Sequence, residues 1–189
     1  MSSLLTTLIL IILVCAIVIL MANRNMNKAT REEGARFRRV GDGLKELHAK
    51  MKKYSHLTED LLNETEDEKL LECVLSNLWS KMRSDLSDAG EVLTPLSFGR
   101  NLIYSIYAVT GGLKQEGVKA FMKGKDSAFL PLAVQALETL EAFDAKDRLE
   151  EICQGICTSS TLYLEAFDAL DVKARMVSYI RNHPREFID

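Results

Sequence analysis

Histidine is scarce in this chain of 189 residues, which contains only His48, His56 and His183. Four cysteines are present, and only Cys153 and Cys157 are close enough in sequence to share one face of a helix. A structural zinc site needs a third and a fourth ligand, and the sequence offers none near this pair. We therefore expect free thiols in a reducing compartment, and we predict no metal site and no cofactor.

The motifs of common enzyme classes are missing as well. The sequence has no glycine-rich phosphate loop, no His-Glu-x-x-His motif and no Gly-x-Ser-x-Gly motif. Carboxylates do concentrate in one segment, with Lys69 as the cation among them, and we call this segment the acidic cluster: Glu59, Asp60, Glu64, Glu66, Asp67, Glu68 and Glu72. It is interpreted as a solvated helix start, where acidic side chains interact favourably with the helix dipole, or as a protein-binding surface. A catalytic role has less support, so we predict that the protein is not an enzyme.

Charge is absent from residues 1–22 and unevenly distributed elsewhere. Residues 23–56, the basic neck, carry 10 basic and 4 acidic side chains, a net charge of +6. Residues 57–189, the acidic body, carry 14 basic and 23 acidic side chains, a net charge of −9. The hydrophobic content of 47% excludes a chain that is mainly disordered.

The uncharged N-terminal segment is long enough to span a bilayer. Residues 4–22 form an apolar run that would extend about 28 Å as a helix, close to the thickness of a hydrocarbon core. The run lacks the basic start and the small-residue cleavage site of a signal peptide. Because the basic residues follow the run, the positive-inside rule places the C-terminal side in the cytoplasm. We predict a single-pass protein of the plasma (inner) membrane with its N-terminus outside.

The basic neck contains the pattern of an amphipathic helix. Thr30 and Glu33 form a capping box, and an apolar stripe follows at spacings of three and four: Phe37, Val40, Leu44, Leu47, Met51 and Tyr54. Three interpretations remain open, namely packing against the acidic body, a coiled-coil dimer, and a helix lying on anionic lipid. The lipid interpretation relies on seven basic residues: Arg36, Arg38, Arg39, Lys45, Lys50, Lys52 and Lys53.

The acidic body is predicted to be helical throughout, because its apolar residues recur at helical spacing and few prolines interrupt them. A capping box at Thr65–Glu68 precedes one helix, whose predicted inward face is Leu71, Val74, Leu75, Leu78 and Met82. Residues 87–97 are predicted to be a loop. The next helix has the face Leu102, Ile106, Val109 and Leu113, and Gly111-Gly112 is expected to end or bend it. A further helix has the face Leu130, Ala133, Val134, Leu137 and Leu140. Asp144 is expected to cap a later helix, which buries a face of Leu149, Ile152, Cys153 and Ile156. The final helical face is Leu170, Ala174, Val177 and Ile180. The predicted fold class is all-α, with a membrane anchor (1–22), an amphipathic basic neck (23–56), an acidic helix and loop (57–94) and a helical domain (95–189).

The last of these segments resembles a known family. Residues 101–113 (NLIYSIYAVTGGL), 133–144 (AVQALETLEAFD) and the closing stretch 169–187 are similar to the domain family named after DNA mimic protein nineteen. The resemblance covers about residues 95–189. It implies an all-helical fold and, from the namesake, an acidic surface that imitates DNA in order to occupy a DNA-binding protein.

Together these patterns predict a membrane-anchored, non-enzymatic cytoplasmic domain that binds an unknown protein partner. One alternative is an acidic DNA-mimic regulator, and a second is a carboxylate-based hydrolase or metalloenzyme that uses the acidic cluster. The predicted partners are the lipid bilayer and a protein. Nucleic acid is disfavoured as a partner of the body, because both carry net negative charge.

Overall fold

The structure is a computed structural model, which describes residues 41–189. Every regular element in that range is a helix, in agreement with the predicted all-α class. Among these residues, none of the helices has the length and apolar character needed to cross a bilayer. The predicted membrane anchor, the capping box at Thr30 and the basic residues Arg36, Arg38 and Arg39 lie outside the described residues.

The described chain forms ten α-helices and two 3-10 helices. Helix α1 comprises residues 41–53. The others are α2 (Glu59–Glu64), α3 (Asp67–Lys81), α4 (Ala89–Leu93), α5 (Phe98–Glu116), α6 (Val118–Phe121), α7 (Leu130–Thr139), α8 (Phe143–Cys153), α9 (Thr161–Ala169) and α10 (Val172–Asn182). The 3-10 helices are Lys125–Phe129 and Pro184–Glu186.

The chain divides into two units, Met1–His48 and Ala49–Asp189. Of the first unit, residues 41–48 are described and are helical, with Leu44 exposed to solvent. The second, which we call the C-terminal unit, contains a single continuous hydrophobic core. It therefore includes the acidic body together with the last residues of the basic neck.

Helix α5 lies at the centre of the C-terminal unit. It packs against α3, α6, α7, α10 and both 3-10 helices, and its apolar face is fully buried at Leu102, Ile106, Val109 and Leu113. The faces predicted for α3 and α7 are also buried, as Leu78 and Leu137 illustrate. Helical periodicity therefore identified the core sides of these three helices correctly.

The last two predicted faces are partly wrong. Helix α8 buries Leu149 and Ile152, but Cys153 is exposed and Ile156 lies beyond the helix with 70% of its surface exposed. Asp144 lies in the first turn of α8, whereas Ala142 occupies the N-cap position. Helix α10 buries Val172, Met176 and Ile180, while Ala174 is exposed. Its inward face is therefore rotated from the one predicted, since several apolar residues compete for the inward side.

The predicted capping box at Thr65 is also wrong. Helix α3 begins at Asp67, and its N-cap residue Glu66 makes no side-chain capping hydrogen bond. The Thr65 hydroxyl instead donates to the Leu61 carbonyl at 2.6 Å and so closes the end of α2. The side chain that caps a helix start in this region is that of Thr58, which accepts from the Leu61 N–H.

Gly111-Gly112 does not end the helix, because α5 continues through both glycines to Glu116. The helix ends at Gly117, whose φ of 72° favours glycine. The reason for a small residue at 112 is packing, since a Cβ there would lie 2.4 Å from the ring of Phe121 on α6. The predicted loop at 87–97 likewise contains α4, a five-residue helix that buries Ala89 and Leu93.

Candidate docking groove

The acidic cluster lies on α2 and on the first half of α3. Three of its carboxylates pair within the C-terminal unit: Glu66 with Lys69, Asp67 with Arg181 at 2.6 Å, and Glu72 with Lys50. The other four, Glu59, Asp60, Glu64 and Glu68, are exposed. Within residues 41–189, no group of histidine, cysteine or carboxylate side chains is arranged to hold a metal ion. Part of the acidic cluster is thus engaged in ion pairs, and the rest of it is exposed to solvent.

The described basic residues of the neck differ in their contacts. Lys50 pairs with Glu72, whereas Lys53 donates to the Tyr54 hydroxyl at 3.1 Å. Lys45 and Lys52 are exposed. Tyr54, the last residue of the apolar stripe, is buried in the core of the C-terminal unit, and its carbonyl accepts from the Asn77 amide. This end of the neck therefore packs against the acidic body.

The cysteines that the structure describes are free thiols. Cys73 is buried on α3, and burial raises its pKa to about 11, which keeps the thiol protonated at neutral pH. Cys153 is exposed at the end of α8, and partial burial of its sulfur raises its pKa as well. A thiol with a raised pKa is a poor nucleophile and a poor metal ligand at pH 7.

A groove of about 350 Å³ opens on the surface of the C-terminal unit. Helices α3, α5, α9 and α10 form it, and six apolar side chains line it: Leu71, Leu75, Ile106, Leu164, Phe167 and Met176. These residues belong to the inward-facing sides of their helices or lie beside them. The groove forms where the four helices converge, and no further helix of residues 49–189 lines it.

Tyr107 lies beside this apolar surface and is 44% exposed. Its ring meets the Trp79 ring edge to face, with a centroid separation of 5.4 Å, which supports it from one side. Partial burial raises the pKa of the Tyr107 hydroxyl, so the group is neutral at physiological pH. An exposed aromatic ring held by a second ring is a common anchor at protein interfaces.

One turn further along α5, the wall of the groove is held by a polar contact. The Thr110 hydroxyl lies 2.7 Å from the hydroxyl of Tyr163, which is buried on α9. Burial raises the pKa of Tyr163 to about 12, so this contact is a hydrogen bond between neutral groups. It joins α5 to α9 and fixes the distance between two sides of the groove.

Gly111 leaves part of the groove open. It lines the groove, and a Cβ built at this position meets no atom within 4 Å. A larger residue at 111 therefore has free space in the folded protein, and that space is the groove itself. The neighbouring Gly112 is different, because its missing Cβ makes room for Phe121.

The charged residues at the groove are Lys114, Asp168 and Lys173. They belong to α5, to α9 and to α10 respectively, and all three are exposed. The groove thus has an apolar floor and a rim that carries two positive charges and one negative charge. Such a surface can bind a complementary apolar segment, but it contains no nucleophile and base within hydrogen-bond reach of each other.

No pattern in the sequence predicts this groove. Its lining residues come from segments that are about 100 positions apart, from Leu71 to Met176. The one local signal was Tyr107, an aromatic residue at a helix position outside the buried face of α5. Among the sequence-predicted site residues of the C-terminal unit, the acidic cluster and Lys50, Lys52 and Lys53 of the neck do not line the groove.

No family model matches the chain, and comparisons with curated proteins and with solved structures also find no match. The resemblance of residues 95–189 to the DNA mimic protein nineteen family therefore stays a prediction.

Proposed function

We propose that this protein is a membrane-anchored, non-enzymatic interaction domain whose groove receives an apolar helix of a partner protein. The observation that carries the proposal is the open apolar groove beside the exposed ring of Tyr107. A concave, mostly apolar surface with a few polar groups at its edge is the common form of a binding site.

The dimensions of the groove favour a helix as its occupant. Along α5 the groove extends from Ile106 to Lys114, a span of eight residue steps that rises about 12 Å in a helix. Two turns of a partner helix cover that length and present apolar residues at positions i, i+3 or i+4, and i+7 on one face. The apolar floor matches such a stripe, and the opening at 111 admits one side chain between the turns.

The membrane anchor belongs to the same proposal and rests on the uncharged run at residues 4–22 with its basic flank. A reporter fused after Asp189 is expected to be active in the cytoplasm, and the protein is expected to resist extraction by alkaline carbonate. A reporter active only outside the cytoplasm would overturn this part of the proposal.

The docking part is tested by filling the groove. Gly111→Leu places an apolar side chain in the space that the partner helix needs, and it has room in the folded protein. Gln135→Leu, on the exposed face of α7, adds the same side chain away from the groove and is the matched control. The full-length protein and both variants are solubilised from their own membrane, and the partners that copurify with each are quantified.

We expect Gly111→Leu to reduce recovery of a partner at least tenfold, while Gln135→Leu recovers it like the parent protein. The melting temperature of Gly111→Leu should equal or exceed that of the parent, because glycine disfavours helix interiors. Equal recovery of every partner by Gly111→Leu and the parent protein would contradict the proposal.

A further inference from the structure

The charge at the groove rim points to the chemistry of the partner. We propose, as a refinement that rests on the proposed function, that the partner helix carries acidic residues beside its apolar stripe and that Lys114 and Lys173 bind them. The two lysines lie on α5 and α10, so they flank the apolar floor from different helices.

Neither lysine has a carboxylate partner among residues 41–189. Other lysines of the C-terminal unit do: Lys81 pairs with Asp189 at 2.8 Å, and Lys146 lies 3.4 Å from Glu150. Lys114 and Lys173 are therefore two cations whose charge is not used within the described fold. Because both adjoin an apolar surface, a partner that covers this surface brings its own side chains close to them.

The surroundings make this region unusual in an acidic molecule. The acidic body has a net charge of −9, yet three more lysines follow Lys114 within the next eleven positions, at Lys119, Lys123 and Lys125, against the single carboxylate of Glu116. The groove rim itself carries a net charge of +1, with Asp168 as its one anion. A negatively charged partner is repelled by most of the body but attracted here, so charge selects both the partner and its docking position.

Charge and apolar contact have separate roles in this arrangement. The apolar floor and Tyr107 supply most of the affinity, because exposed ion pairs each contribute little. The lysines act mainly on selectivity and on association rate, and their effect falls as salt increases. An acidic flank on the partner should therefore matter most at low ionic strength.

Two designed helical peptides test this inference on the full-length protein in detergent micelles or nanodiscs. Both peptides carry the same leucine stripe at positions i, i+3, i+7 and i+10, and the residues flanking it are glutamate in one and lysine in the other. Binding is measured by fluorescence anisotropy at low salt and at high salt. The variants are Lys114→Glu/Lys173→Glu at the rim and Lys119→Glu/Lys123→Glu, which changes the net charge equally but outside the groove.

We expect the parent protein to bind the glutamate peptide about tenfold more tightly than the lysine peptide at low salt, with the preference shrinking as salt rises. The rim variant should reverse that preference, and the Lys119→Glu/Lys123→Glu variant should retain most of it.

Three results would overturn the inference, and they differ in whether the proposed docking function is overturned with it. If both peptides bind equally and Gly111→Leu blocks both, the rim lysines do not select the partner, although the groove still docks helices. If the two double variants shift the preference equally, the net charge of the protein determines the preference for the glutamate peptide, and the rim lysines do not. If neither peptide binds, or if Gly111→Leu leaves binding unchanged, the docking function falls as well.

Discussion

At the scale of single residues, Asp189 makes more stabilising contacts than its place in the sequence suggests. Its carboxylate accepts from the N–H of Leu57 and the amide of Asn77, each at 2.9 Å. It also pairs with Lys81 at 2.8 Å and with Arg100 at 2.7 Å. These contacts connect the segment that follows the second 3-10 helix to α3, to α5 and to the start of the acidic body.

The environment of Asp189 lowers the pKa of its carboxyl group. Its side chain is 12% exposed, and burial alone raises the pKa of a carboxyl group. The hydrogen bonds from Lys81, Leu57, Asn77 and Arg100 outweigh burial and hold the pKa of Asp189 well below its ordinary value. The carboxylate is therefore charged in the folded protein at neutral pH.

We predict that Asp189→Asn lowers the free energy of unfolding at pH 7 by about 3 kcal/mol, because it leaves the buried guanidinium of Arg100 without its anion. The contribution of Asp189 is fully present above its unfolded pKa of about 3.9 and is lost as the pH falls towards the lower folded value. The difference between parent and variant should thus be largest at pH 7 and should shrink below about pH 4. Chemical denaturation at several pH values measures it, and a difference that grows on acidification would contradict this account.

No pattern in the sequence predicts these contacts. Asp189, Asn77 and Leu57 are separated by as many as 132 positions, and periodicity reports only on neighbours along the chain. Arg181 is a similar case, since it donates to the carbonyls of Leu62 and Thr65 and pairs with Asp67. A charged residue that the hydrophobic pattern assigns to the surface can still connect several elements of the fold.

At the scale of elements, the sequence was most informative about helix identity and least informative about helix ends. Apolar spacing predicted the buried faces of α3, α5 and α7. In these helices the residues that recur at the helical period are also the ones that the tertiary fold buries. The glycine pair on α5 was misjudged because local propensity treats both glycines as helix breakers. Packing overrides that propensity, since α5 has nineteen residues and is fixed by its neighbours on several sides.

The two glycines give opposite predictions for the same substitution. Gly111→Ala meets no atom within 4 Å, so better helix propensity should raise stability by about 0.5–1 kcal/mol. Gly112→Ala places a methyl group 2.4 Å from the buried ring of Phe121, so it should lower stability by about 1–3 kcal/mol. Urea denaturation of both variants measures the difference. Equal effects of the two substitutions would show that α6 does not pack on α5 as described.

At the scale of the whole molecule, the C-terminal unit depends on one shared core, so damage to any central helix should affect all of it. Leu137 on α7 is fully buried, and α7 packs against both α5 and α8. Leu137→Asp should abolish the cooperative unfolding transition, because an unpaired charge cannot be accommodated in that core. The matched control is Gln135→Asp on the exposed side of the same helix, which should stay within about 0.5 kcal/mol of the parent protein. Thermal unfolding followed by circular dichroism distinguishes the two, and a cooperative transition in Leu137→Asp would contradict the assigned core.

The molecule combines charge segregation along its sequence with an apolar groove on the C-terminal unit. The sequence predicted the first, because net charge can be counted along the chain. It could not predict the second, because the groove arises only when α3, α5, α9 and α10 meet. The function proposed for the protein depends on this second feature, so it must be tested at the groove itself.

The most direct test places a photoactivatable phenylalanine analogue at Tyr107 in the full-length protein within its own membrane. The same analogue at Gln135, exposed on α7, is the control. The account predicts that irradiation joins the Tyr107 probe to one discrete partner protein, that the Gln135 probe does not capture this partner, and that Gly111→Leu abolishes the adduct. An adduct that forms equally from both positions, or that survives Gly111→Leu, would contradict the claim that this groove is the docking site.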